Sequence, residues 1–275
     1  MQERSTYPRA MTIAGSDSGA GAGIQADLKV FAALGVYGTS ALTAITAQNT
    51  LGVIAVHELP PSLVIEQIDA IVSDIGVDVV KTGMLSNSTM IETVVNKIVE
   101  HDLRNLVVDP VMVAKGGDRL LQEEAVDSLR SQLIPLALVV TPNLPEAEVI
   151  IERTIESVSD SRYAARQIVD NMGARNVVIK GGHLDGPPID VFYDGHSFRE
   201  MYAPRINTTS THGTGCTFAS AIAAYLARGS NPEKACMRAK RYVSHSLSRS
   251  FPLGGGHGPL NHFYRHWKVI NKGSN

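Results

Sequence analysis

The chain has 275 residues, 44% of them hydrophobic and only 5% aromatic, which suffices for one large core built mainly from Val, Ile, Leu and Ala. A net charge of −2 supplies no global basic field for nucleic acid or an anionic membrane, and no stretch approaches the roughly 18–20 apolar residues of a membrane span. The opening MQERSTYPR has no apolar signal-peptide region, and the two cysteines make neither a disulfide framework nor a CxxC metal pair.

The expectation is a soluble, cytoplasmic protein with neither nucleic acid nor membrane as partner. It should be a single domain over residues 1–275, with a loose tail at 1–9 and a polar tail at 268–275. Residues 10–14 (AMTIA) read as a short strand that breaks into a glycine-rich run at 15–23, after which IQADLKVFAALG reads as a helix closed by Gly35. The run contains Gly21-x-Gly23-x-x-Ala26, a relaxed dinucleotide fingerprint, but that fingerprint also asks for an acidic residue at the end of the next strand. Here the next strand, 39–47, ends in Gln48-Asn49-Thr50, and a neutral amide suits the donor and acceptor edge of a heterocycle better than a ribose diol. A nicotinamide dehydrogenase is disfavoured on that ground.

Beyond it the periods alternate. Val64, Ile68, Ile71, Val72 and Ile75 follow helical spacing, VDVVKTGM reads as a buried strand, and Ile91, Val94, Val95 and Ile98 mark another helix. LVVDPVM is a strand stopped at Pro110, a polar helical segment spans 123–130, and ALVVTPN is a strand followed by a helix from Pro145. SRYAARQIVDNMG is a helix closed by Gly173, NVVIKGGH the next strand, and 190–205 a hairpin turning at Asp194-Gly195. The helix-to-apolar-strand rhythm argues for an α/β fold with a mostly parallel central sheet covered by helices on both faces. Ligands of such sheets lie beyond the strand carboxyl ends, where Lys81-Thr82-Gly83-Met84, Asp109-Pro110, Thr141-Pro142-Asn143 and Lys180-Gly181-Gly182-His183 collect.

The stretch 207–229, NTTSTHGTGCTFASAIAAYLARG, leads a Thr- and Ser-rich run through Gly213-Thr214-Gly215-Cys216 into an Ala-rich buried helix, and a last helix occupies 232–250. Two glycines ahead of a helix start let the backbone approach a ligand, and the unpaired N–H groups of the first turn favour an anion. Cys216 sits in that turn, where a thiol pKa is expected to be lowered; Cys236 reads as a helix-packing residue. Asn143-x-x-Glu146 is either a helix start or a carboxylate for Mg²⁺, and Asp109 either a turn residue or a second carboxylate for the same ion. Lys180 among glycines has room for a phosphate beside its ammonium. No GxxxxGK[ST] phosphate loop or GxSxG elbow is present, and His257, His262 and His266 have no local carboxylate or thiol to complete a metal site.

With these residues in hand, the chain resembles the hydroxymethylpyrimidine/phosphomethylpyrimidine kinases of thiamine biosynthesis, in the ribokinase-like superfamily. The resemblance runs over about residues 10–267 and rests on AGSDSGAGAGIQADLK, TAITAQNT, VKTGML, VVDPVMV, TPNLPEAE, VIKGGH, THGTGCTFASAIAA and GGGHGPLNHF, in that order. It implies a three-layer α/β/α sandwich and ATP-dependent phosphorylation of 4-amino-5-hydroxymethyl-2-methylpyrimidine, then of its monophosphate. By the same resemblance Cys216, Gly213, Thr214 and Gly215 are catalytic, and Lys180, Asn143, Thr211, Gly213 and Gly215 bind ATP. Asp109 and Glu146 serve Mg²⁺. Gly15, Asp27, Gln48, Met84 and Val111 hold the pyrimidine, with Met84 and Val111 packing its ring. A homodimer is implied too. The competing enzyme is a pyridoxal or pyridoxine kinase, which adds one phosphate to a similar flat N-heterocycle bearing CH₂OH; a non-catalytic binding protein would need a broken site, and this one is intact.

Overall fold

Short strands with no polar face, such as LVV and VVI, have to be covered on both sides. The computed structural model, which describes residues 7–113, 117, 120–183 and 186–267, covers them so. The strands are β1 (Arg9–Asp17), β2 (Tyr37–Gln48), β3 (Val53–Glu58), β4 (Val79–Thr82), β5 (Leu106–Val108), β6 (Val139–Val140), β7 (Val177–Ile179), β8 (Ile189–Tyr193) and β9 (Phe198–Tyr202). They form one sheet in the order β3-β2-β1-β4-β5-β6-β7-β8-β9. The run from β2 to β7 is parallel, and β3 at one edge and β8 and β9 at the other are antiparallel.

Eight α-helices are described: α1 (Gly23–Ala33), α2 (Pro61–Asp74), α3 (Ser88–Glu100), α4 (Ala125–Ser128), α5 (Leu144–Ile151), α6 (Val158–Arg166), α7 (Thr214–Ala227) and α8 (Pro232–Ser248). Successive strand residues point to opposite faces. Val80, Val108, Val140 and Ile179 accordingly pack with Ile68, Ile91, Leu129, Ile150 and Ile168 of the α2–α6 side. Val79, Val107, Val139 and Val178 pack with Phe31, Phe218, Ile222 and Tyr242 of α1, α7 and α8. This is the expected three-layer sandwich. No helix among the described residues is long and apolar enough to cross a membrane.

Three local readings change. β1 runs on to Asp17, because its pairing with β2 continues past a bulge between Ala14 and Ser16 and takes in the first part of the glycine-rich run. Arg9, assigned to the tail, is instead the first residue of β1, tied to Asp78 by a 2.8 Å ion pair; residues 1–6 and 268–275 lie outside the described residues. β3 has no forerunner in the pattern. Its sequence VIAVHE does not alternate and is almost wholly exposed, so only the antiparallel ladder with β2 makes it a strand.

Candidate active site

Parallel register aligns the strand ends, with Thr82 beside Val108 and Val108 beside Val140, so the residues that follow share one rim of the sheet. Asp109 leaves β5, Thr141 and Asn143 leave β6, and Lys180 leaves β7. Lys180 Nζ lies 3.2 Å from Asp109 Oδ1 and 3.8 Å from Glu146 Oε2, and Thr141 Oγ1 lies 3.2 Å from Asp109 Oδ1. Asn143 and Glu146 form a full capping box at the start of α5: each side chain accepts the other's backbone N–H, at 2.9 and 2.8 Å. The helix-start reading of NxxE is therefore realised, and the same carboxylate still borders Lys180. Burial first, then the neighbouring Asp109, push the Glu146 carboxyl up to about 7 despite Lys180. For Lys180, burial works against the charge, but Asp109 and Glu146 outweigh it and hold the ammonium protonated.

The start of α7 closes this rim. Gly213 has φ +81, and a methyl built on it would stand 1.8 Å from the Gly21 carbonyl oxygen. A methyl on Gly215 would stand 3.3 Å from Lys180 Nζ and 3.8 Å from Asp109 Oδ2. The first glycine is thus required by backbone conformation and by the loop opposite, while the second brings the backbone close to the charged groups of the rim. Thr214 Oγ1 donates to Thr211 O at 2.7 Å, folding the turn back on itself. Cys216 corrects an expectation. Its thiol is pushed up to about 12, first by burial and then by Asp109 and Asp27, against the pull of the Lys81 ammonium and the Gly23 N–H. The residue keeps some surface, but burial of the sulfur dominates its neighbourhood.

Gly15 lies in β1 and Met84 just past β4, on the two neighbouring strands that flank the switch point of the sheet. A methyl on Gly15 would meet Met84 Cε at 2.5 Å, so these two are in direct contact. Gln48, half-buried at the end of β2, is anchored through its backbone, whose N–H donates to Ser18 Oγ at 2.8 Å and whose carbonyl accepts from it at 2.7 Å. Val111 is half-buried just beyond Pro110. Asp27 is placed differently from the rest. It is wholly buried on α1, paired with the equally buried Lys81 at 2.9 Å and accepting from Thr12 at 2.6 Å and from Ser220. Both of its oxygens are engaged, so its side chain is held beneath the site and is not free to read a ring edge.

Comparison with known proteins decides the family. The family described as phosphomethylpyrimidine kinase matches residues 17–261. The chain belongs to the phosphomethylpyrimidine kinase family. It is 53% identical over 262 residues to the thiamine biosynthesis bifunctional protein ThiED of Geobacter sulfurreducens, covering 94% of this chain but only 53% of that relative. It is 51% identical over 257 residues to the hydroxymethylpyrimidine/phosphomethylpyrimidine kinase of Bacillus subtilis, covering 93% of this chain and 94% of the relative. The chain therefore spans about half the length of the first and nearly all of the second. An ADP complex of Bacillus subtilis pyridoxal kinase superposes with a TM-score of 0.89 at 41% identity, covering 96% of this chain and all of that one. The sandwich is ribokinase-like, as expected.

Within this phosphomethylpyrimidine kinase fold, two residues next to the site, Asp17 and His212, were given no role from the sequence, and Lys81 was noted only as one of the strand-end polar residues. Lys81 stands in a strand that reads as uniformly buried, and a charge inside such a run is the signal that would have found it. Burial favours its neutral form, but Asp27 first, and Asp109 after it, keep it protonated. Asp17 and His212 are 195 positions apart and meet only in the fold.

Proposed function

We propose that the chain transfers the γ-phosphoryl group of ATP to the hydroxymethyl oxygen of 4-amino-5-hydroxymethyl-2-methylpyrimidine, and then a second phosphoryl group to the resulting monophosphate. The observation that carries this reading is the meeting of Lys180, Asp109 and Glu146 with the first turn of α7 at one rim of the sheet. Phosphoryl transfer asks mainly for positioning and charge neutralisation. The N–H groups of residues 213–216 take the equatorial oxygens of the transferring group, and Lys180 moves from its carboxylates toward the ATP phosphates, with Asn143 and Thr211 at the edge of the nucleotide site. Gln48 meets the polar edge of the ring while Met84 and Val111 pack its faces.

The donor set fits Mg²⁺: all-oxygen, doubly carboxylate, with Asp109 Oδ2 buried and without a hydrogen-bond partner. Asp109 and Glu146 would hold Mg²⁺, which would supply charge neutralisation to the phosphates. Asp27 acts from below, fixing Lys81 beneath the Cys216 thiol. The free thiols Cys216 and Cys236 suit a cytoplasmic setting, and the exposed apolar residues Ile45, Ile54 and Val56 of the β2–β3 edge suit a homodimer.

A second reading, pyridoxal phosphorylation, is favoured by the closeness of the Bacillus subtilis pyridoxal kinase structure. Mass analysis of products after incubation with Mg-ATP and, separately, the aminopyrimidine alcohol, its monophosphate and pyridoxal separates the two. Conversion of the monophosphate to a diphosphate is expected. A single phosphate on pyridoxal, with both pyrimidines unchanged, would sink the thiamine reading.

A further inference from the structure

The site is bracketed by two glycine-rich segments that carry little packing of their own, residues 17–23 and residues 211–216. Asp17, at the end of β1, accepts from the N–H groups of Gly19 at 2.8 Å, Gly21 at 3.1 Å and Ala22 at 2.8 Å, so one carboxylate shapes the whole first loop. Its Oδ2 also meets His212 Nε2 at 2.8 Å, and both side chains are almost fully enclosed. His212 belongs to the second segment, where its N–H donates to Gly258 O at 3.0 Å. The two segments touch backbone to side chain as well: a methyl on Gly21 would stand 2.3 Å from His212 Cδ2, and one on Gly213 would strike Gly21 O. Gln48 Nε2 lies 3.4 Å from His212 Nε2, which brings the ring-edge residue into the same cluster.

What hangs on this contact is the setting of the thiol. Gly23, one residue past the loop that Asp17 shapes, turns its N–H toward Cys216, while His212 immediately precedes the Gly213-Thr214-Gly215-Cys216 turn. Burial would favour the protonated form of Asp17, but the His212 contact and the loop N–H groups outweigh it and hold the carboxyl below its ordinary range.

We propose that Asp17 and His212 are positioning residues for phosphoryl transfer, forming a clasp that fastens the 17–23 loop to the 211–216 turn and so fixes the anion-binding N–H groups, Cys216 and Gln48 relative to one another. Neither residue touches the reacting atoms. Their effect is geometric, and a misplacement of about 1 Å at a transfer site can cost on the order of 100-fold in rate. The clasp rests on the reading of residues 213–216 as the phosphoryl site, so its test has one arm that needs no turnover.

In the full-length chain, Asp17→Asn, His212→Gln and His212→Phe are compared with the parent for kcat, for KM of ATP, for melting temperature and for the rate of Cys216 alkylation at alkaline pH. Cys236 is fully buried and does not compete in the folded protein. The clasp predicts that His212→Phe and Asp17→Asn lose about 100-fold in kcat with KM for ATP near the parent value. His212→Gln, which keeps a side-chain N–H donor, recovers part of the loss, and Cys216 alkylation is faster in the Phe and Asn variants than in the parent, because loosened segments relieve the burial that outweighs the Gly23 N–H at the thiol. A merely structural pair would lower the melting temperature and leave the kcat and thiol reactivity of the folded protein unchanged, which overturns the clasp. If Asp17→Asn does not fold, the two His212 variants carry the comparison. Should the parent phosphorylate neither pyrimidine nor pyridoxal, the function fails, and the alkylation rates still decide the clasp.

Discussion

At Cys216 two tendencies oppose each other. A thiol in the first turn of a helix gains from the positive end of the dipole, and Gly23 N–H and Lys81 add to that; burial beside Asp109 and Asp27 works the other way and wins, leaving the thiol protonated at neutral pH. A protonated thiol cannot take the alcohol proton: Cys216 acts as a base only once it has given up its own proton, and a loose transition state asks little of a base. Iodoacetamide is therefore expected to label Cys216 of the ligand-free protein slowly at pH 8 and to accelerate as the pH is raised toward 12; rapid labelling at pH 7 would show that burial does not dominate. Cys216→Ala should lower kcat far more than it weakens ATP binding, measured by turnover and by nucleotide titration. Near-full turnover in Cys216→Ser would remove the base role and leave the anion site intact. The sequence shows a thiol at a helix start but not the carboxylates around it, because Asp109 and Asp27 arrive from other strands and helices.

At the scale of elements, the site is made by close approach rather than by long side chains. The Gly213 turn needs both a left-handed backbone and the absence of a Cβ, since Gly21 O fills the space. Gly213→Ala is expected to cost at least about 1–2 kcal/mol from the left-handed conformation alone, and to lower kcat by about 100-fold or more through displaced N–H donors. Thermal melting and steady-state turnover check the two parts separately. An unchanged kcat would mean that these N–H groups do not serve the transferring phosphoryl group. Helices and buried strands were legible here because their periods differ. β3 was not, since an exposed edge strand without alternation owes its form to its neighbour, and the run to Asp17 was read as loop because its glycines hide a strand that pairing with β2 continues.

For the whole molecule, several exposed apolar side chains lie on the β2–β3 edge of the sheet. Ile45 on β2 and Ile54 and Val56 on β3 are each about half exposed or more. The homodimer reading expects this edge at the interface. Sedimentation of the parent should report twice the chain mass, and Ile54→Lys with Val56→Glu should shift it to one; a parent already monomeric at micromolar concentration would dismiss the dimer. In the interior, the Asp27–Lys81 pair ties α1 to β4 beneath the thiol, and breaking one member of such a buried pair typically costs about 3–5 kcal/mol, more than the pair itself contributes. By itself the sequence determined the layered α/β class, the family and the rim of polar residues at the strand ends, because apolar period and strand-end motifs are local properties. Only the tertiary structure decided that Asp27 is spent on Lys81, that Cys216 is protonated and that Asp17 grips His212, because burial and ion pairing depend on groups that sequence separates by tens to hundreds of positions.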